Sequence, residues 1–271
     1  MASFTGSALK DVYKDILHTS NSNTGLSTSI KQITCGDGDA TSLYLSTQNA
    51  KIQPASDSTT NTVIYDASGN ALVTVDSTND LVKLGIGQHT ANTQFKLFAV
   101  YDLSPVLGKH HPLMASQGMY DSGLWIGGAI NGTHWGSNDA NPATSLTIAS
   151  APNTFPQQIW LLQSNITIEQ ISYIITADGA ATSNIHLMSY TIVTGSGSTA
   201  GDLSSGAVLA QTGSAAGSLS PVTIGADRAS NGTLTLNTTD VDSGKVLIAF
   251  VENVDGTEDI SIQLSIKYHL R

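Results

Sequence analysis

A 271-residue chain with only 12% charged residues, 25 glycines and a net charge of −10 excludes a surface solubilised chiefly by Lys and Glu. Eleven dispersed Lys and Arg are too few to neutralise a phosphate backbone, which excludes nucleic acid as the expected partner. The single Cys35 excludes a disulfide framework or Cys-rich zinc site, and no 18-residue apolar run or standard secretory leader predicts membrane insertion or export.

Only three of the 21 acidic residues are Glu, namely Glu169, Glu252 and Glu258. The rest are Asp, which bonds its own backbone in turns and disfavours helix interiors, so a mostly β fold rich in turns is predicted.

Residues 1–20 carry the one helical pattern. Leu9, Val12, Tyr13, Ile16 and Leu17 recur at helical spacing, Lys10, Asp11, Lys14 and Asp15 take the opposite face, and Ser7 is placed to cap. Three turns are marginal alone in water, so the apolar face needs a neighbour: its own chain, other copies, or a carrier particle.

Residues 21–94 read as very short strands between turn clusters, marked by Leu43 and Leu45, Ile52, Val63 and Tyr65, Leu72 to Val75, and Val82 to Ile86. Asp66-Ala-Ser-Gly-Asn70 suits a hairpin loop. Such strands supply too few large side chains for a monomeric core and leave edges to cover. Winding several chains about one axis meets both needs, so a slender intertwined β stalk of a homotrimer is expected; a low-complexity linker is the alternative. Residues 95–144 read as a connector with aromatic and glycine-rich patches around Trp125 and Trp135.

Residues 145–271 read as about nine longer strands forming a β-sandwich or jelly roll. In the last, Ile260, Ile262, Leu264, Ile266 and Tyr268 alternate with polar residues, predicting one buried face. Val246 to Val251 is apolar on both faces and is expected at a sheet centre or a subunit contact.

No motif predicts catalysis. Glu252 with Glu258 and Asp259 are the only closely spaced carboxyls that include Glu, and a solvated hairpin tip around Asp255-Gly256 explains them. His110-His111 offers imidazoles to a metal, but adjacent side chains point apart on a strand, and an exposed loop pair is expected. Asp37-Gly-Asp39 and Asp76 to Asp80 lack a calcium-ligand ladder, and Gly195 to Gly201 lacks dinucleotide-loop spacing. No metal or cofactor is expected. Tyr120, Trp125 and Trp135 are the candidate glycan contacts, because aromatic faces cover the apolar faces of sugars.

Val12-Tyr-Lys-Asp-Ile-Leu-His-Thr-Ser-Asn-Ser-Asn-Thr-Gly25 and Gly36-Asp-Gly-Asp-Ala-Thr-Ser-Leu-Tyr-Leu-Ser46 resemble the N-terminal template of fibre and appendage proteins of tailed phages that infect marine bacteria. His186-Leu-Met-Ser-Tyr-Thr191, Gly201-Asp-Leu-Ser-Ser-Gly206 and Ile266-Lys-Tyr-His-Leu-Arg271 resemble the β-domain that ends such proteins. The resemblance implies a non-enzymatic virion structural protein, a homotrimer seated on capsid or tail proteins, with host-surface glycan as an outward partner. Two alternatives are a capsid decoration or head-fibre protein and, further off, a polysaccharide-degrading tailspike.

Overall fold

The computed structural model describes residues 16–19, 25–87, 89–115, 118–120, 123–125, 141–147, 155–195, 197–213 and 218–271. Strand dominates these residues, and the only helix among them is one turn at Phe155–Gln158. The chain divides into two compact units, Met1–Ala91 and Asn92–Arg271.

The first unit contains two four-stranded antiparallel meanders. One runs β1 (His18–Thr19), β2 (Lys31–Thr34), β3 (Ala40–Leu45), β4 (Ala50–Ile52); the other β5 (Thr62–Tyr65), β6 (Ala71–Asp76), β7 (Leu81–Leu84), β8 (His89–Thr90). The predicted loop after Tyr65 forms as read: the Asp66 carboxylate accepts from the amides of Ser68 and Asn70, both at 2.8 Å, and Gly69 takes φ 84°. Asp76 closes the next turn. It is fully buried, accepts from the Asn79 side chain and the Lys83 ammonium at 2.9 Å each, and its pKa falls to about 2 through those bonds, Asn79 first.

The expected N-terminal helix is corrected at its C-terminal end. Ile16 and Leu17 are not helical, and Leu17 is 64% exposed. His18 and Thr19 pair with Thr34 and Ile33, so the backbone there is committed to a sheet. Leu9, Val12 and Tyr13 lie outside the described residues.

The second unit holds β9 (Thr93–Leu103), β10 (His110–Pro112), β11 (Gly118–Tyr120), β12 (Gly123–Trp125), β13 (Trp160–Leu161), β14 (Ile166–Ala177), β15 (Ala181–Ile192) and β16 (Leu203–Gln211). It continues with β17 (Val222–Ile224), β18 (Arg228–Thr233), β19 (Thr235–Leu236), β20 (Asp240–Val241), β21 (Lys245–Asp255) and β22 (Ile260–Leu270). One sheet is ordered β18-β14-β22-β9 with β20 beside β14; the other is β10-β21-β15-β16-β19 with β13 on β21 and β17 on β15. All pairs are antiparallel. A single apolar cluster draws Phe98, Ile171, Ile175, Leu264 and Ile266 from the first sheet and Ile185, Leu187, Leu247, Ala249 and Val251 from the second. The core therefore lies between the two sheets.

The strand from Phe95 to Leu103 corrects the connector expected there. It bonds β22 through Leu264↔Phe98 and buries Phe98 and Val100.

β21 sits between β15 and β10, at a sheet centre. Its odd residues Leu247, Ala249 and Val251 enter the main core. Val246, Ile248 and Phe250 face the other side, where a second cluster adds Met188, Tyr190, Leu203 and Leu146. The Tyr190 hydroxyl donates to the Ala143 carbonyl at 2.9 Å, fixing the 141–147 segment over this face. That segment passes so near β16 that a Cβ at Gly206 would lie 2.8 Å from the Thr144 Cα. Gly206→Ala is expected to destabilise the unit by about 1–3 kcal/mol through this clash. Urea unfolding checks it; an unchanged midpoint would refute the close approach.

Candidate functional site

Two features of the second unit place chemically capable side chains together. The first is a buried polar row across three strands on the outer face of the larger sheet. Register sets Asn184 of β15, Glu252 of β21 and His110 of β10 side by side, and all are buried. Asn184 donates to Glu252 Oε2 at 3.0 Å, and His110 Nε2 lies 3.5 Å from the same oxygen. Burial raises the Glu252 pKa, and the Asn184 bond only partly offsets it.

His186, one alternation along β15, meets His110 edge to face with ring centroids 5.3 Å apart. It is fully buried, and neither ring nitrogen has a hydrogen-bond partner among the described residues. Burial, with His110 adding to it, lowers its pKa to about 3. This imidazole is held neutral, and among the described residues no acid–base partner is aligned with it. Among the described residues no group of three His, Cys, Asp or Glu is placed to hold a metal ion.

Sequence reasoning placed Glu252 at a solvated tip and the two histidines in an exposed loop; both readings are corrected. Glu252 is buried well inside β21, before the turn at Gly256. His110 and His111 are buried on β10 because its register against Phe250 to Glu252 covers them. They do point apart: His110 meets His186, while His111 Nε2 accepts from the Val106 amide at 2.9 Å. Asp259 accepts instead from the Ser104 hydroxyl at 2.5 Å. His186 carried no signal beyond its place between Ile185 and Leu187, both buried on the opposite face.

The second feature is a groove of about 260 Å³ where the ends of β13, β14 and β22 converge. Its walls are Trp160, Leu161, Ile166 and Tyr268, with Gln163 and Ser164 at the rim. Trp160 and Tyr268 pack with ring centroids 4.9 Å apart at 56°, and the Tyr268 hydroxyl donates to Gln94 Oε1 at 2.8 Å. Lys96 reaches over the indole, its Nζ 5.9 Å from the ring centroid. At the opposite end of the same sheet, a cleft of about 460 Å³ is lined by Tyr101, Asp102, Asp178, Asp227, Arg228 and Asp259. The two ends thus differ in charge.

Of the aromatics singled out as glycan contacts, Tyr120 and Trp125 have described backbones, in the hairpin that pairs Gly118 with Trp125. Their side chains, and all of Trp135, lie outside the described residues. No local sequence signal marks Trp160, because its groove partner Tyr268 is more than a hundred residues away in sequence.

The terminal basic residues are satisfied within the chain. A β-bulge at Glu169 brings its carboxylate 2.5 Å from Lys267 Nζ and 2.9 Å from His269 Nδ1, while Arg271 pairs with Asp240 and Asp242. Partial burial would raise the Glu169 pKa, but the bonds from Lys267 and His269 outweigh it and hold the carboxyl below its usual range.

No protein-family model matches this chain, and no curated protein sequence matches it.

Proposed function

We propose that this chain is a structural protein of a tailed-phage virion, a homotrimeric fibre or appendage whose first unit forms an intertwined stalk. The C-terminal unit, a jelly-roll-like head, faces outward to engage the host surface. The role is mechanical and adhesive, not catalytic.

One observation supports this reading above the others: the described residues of the first unit hold almost no core of their own. Ile33 is the only buried hydrophobic among its described residues. Register places Ile64, Val73 and Leu84 in one cross-strand row, with Val75 and Val82 beside them and Tyr65 opposite Ala71. Ile64, Val82 and Leu84 on this face remain 42–56% exposed. Covering those three would contribute roughly 2–4 kcal/mol per copy, a sizeable share of a domain's net stability. An apolar face repeated identically on every copy is best covered by the same face around a rotation axis.

Native mass spectrometry at micromolar concentration is expected to give three copies of the 28.2 kDa chain. Ile64→Asp with Leu84→Asp is expected to shift the population to monomer. A wild-type monomer would reject the stalk. Electron microscopy of virions labelled with an antibody to residues 92–271 tests the address. Label on the tail supports a fibre, label over the whole shell supports decoration of the capsid, and an unlabelled particle rejects both.

A further inference from the structure

The groove at Trp160 carries more chemistry than packing requires. Lys96 lies on the core side of β9, in register with Ile266 and alternating with Phe98 and Val100, which are buried. Its ammonium makes no hydrogen bond or ion pair among the described residues. It is nonetheless partly buried, which lowers its pKa by desolvation with no counter-charge to restore it. An unpaired, half-desolvated cation against an indole favours an anionic group beside it. Lys96 reaches the groove through the Trp160 ring, and Gln163 and Ser164, exposed among the residues that line it, present an amide and a hydroxyl to a ligand.

From this arrangement we infer that the Trp160–Tyr268 groove is a subsite for a carboxylated sugar, a uronic-acid residue of a surface glycan. The pyranose ring lays its C–H face on the aromatic and leucine walls, its carboxylate pairs with Lys96, and its hydroxyls bond Gln163 and Ser164. A volume of about 260 Å³ suits a single sugar. Charge selects the class. The cleft at the far end, with Asp102, Asp178, Asp227 and Asp259 against one Arg228, would repel the same ligand. The inference rests on the host-attachment reading for its biological meaning, yet its chemistry is tested on the isolated protein.

The test is an NMR titration of the full chain with methyl glucuronide and, separately, methyl glucoside. The indole N–H signal of Trp160 is the readout, assigned with Trp160→Phe. Glucuronide is expected to shift that signal saturably with a Kd about tenfold below that of glucoside. Lys96→Met keeps the aliphatic stem and the fold, and is expected to bring the two sugars to equal affinity. Added salt is expected to narrow the wild-type preference. The inference is overturned if neither sugar moves the Trp160 signal, if both bind the wild type equally, or if the preference survives in Lys96→Met. Virion labelling is independent of these results, so failure of the sugar site and failure of the appendage reading are told apart.

Discussion

Phe250→Ala is expected to lower the stability of the C-terminal unit by about 3–5 kcal/mol. Phe250 is fully buried on β21, the strand with a neighbour on each side and apolar residues on both faces. Its ring packs with Met188, Tyr190 and Ile248 in the outer cluster and meets the His110 ring edge-on, with centroids 6.4 Å apart. Truncation leaves a cavity beneath a layer pinned by the Tyr190 bond, so the site cannot readily collapse. For a unit of this size the loss corresponds to a fall in Tm of about 6–20 °C. Ile174→Ala is the control, because that side chain is 48% exposed on the outer face of the other sheet and is expected to change stability by less than about 0.5 kcal/mol. Calorimetry on both variants decides the matter. Equal shifts would mean that the outer cluster is not a packed layer.

What could be read from sequence follows from which interactions are local. β22 announced itself because a strand with one buried face alternates: Ile260, Ile262, Leu264, Ile266 and Tyr268 all lie inward. β21 was legible for the opposite reason, since a strand covered on both sides needs no alternation. β9 was not legible. Its outward positions carry Phe95, Leu97 and Tyr101, all exposed, while its inward positions include Gln94 and Lys96, so the polarity pattern is inverted along half its length. Its partner is also the last strand of the chain, and pairing over that separation leaves no local trace. The same limit hid the groove, which joins Trp160 to Tyr268. In the first unit the shortness of the strands and the scarcity of large side chains were both plain, and the incompletely covered row at Ile64, Val73 and Leu84 is their consequence.

Acid is expected to weaken the C-terminal unit, chiefly through His186. In the folded protein this imidazole titrates near 3, against about 6.5 when exposed in the unfolded chain. Between those values the unfolded state binds the extra proton, so stability is retained above pH 6.5 and declines as pH falls toward 3. At pH 5 the loss is about 2 kcal/mol. Glu252 works the other way: burial raises its folded pKa, so above the unfolded value of 4.5 the native state is the one that holds the proton, and this contribution fades as pH rises. Glu252 therefore opposes the His186 slope above pH 4.5. Among the described residues the titratable groups of this patch are His110 on β10 and Glu252 on β21. His186→Leu fills much of the same volume without burying two unpartnered nitrogens, and is expected to be more stable than wild type at pH 5 by about 2 kcal/mol or more. Urea unfolding of both proteins at pH 7 and pH 5 measures the difference of differences. If wild type and His186→Leu lose the same stability on acidification, the proton is taken up elsewhere, and His186 is a neutral ring with no part in the pH response.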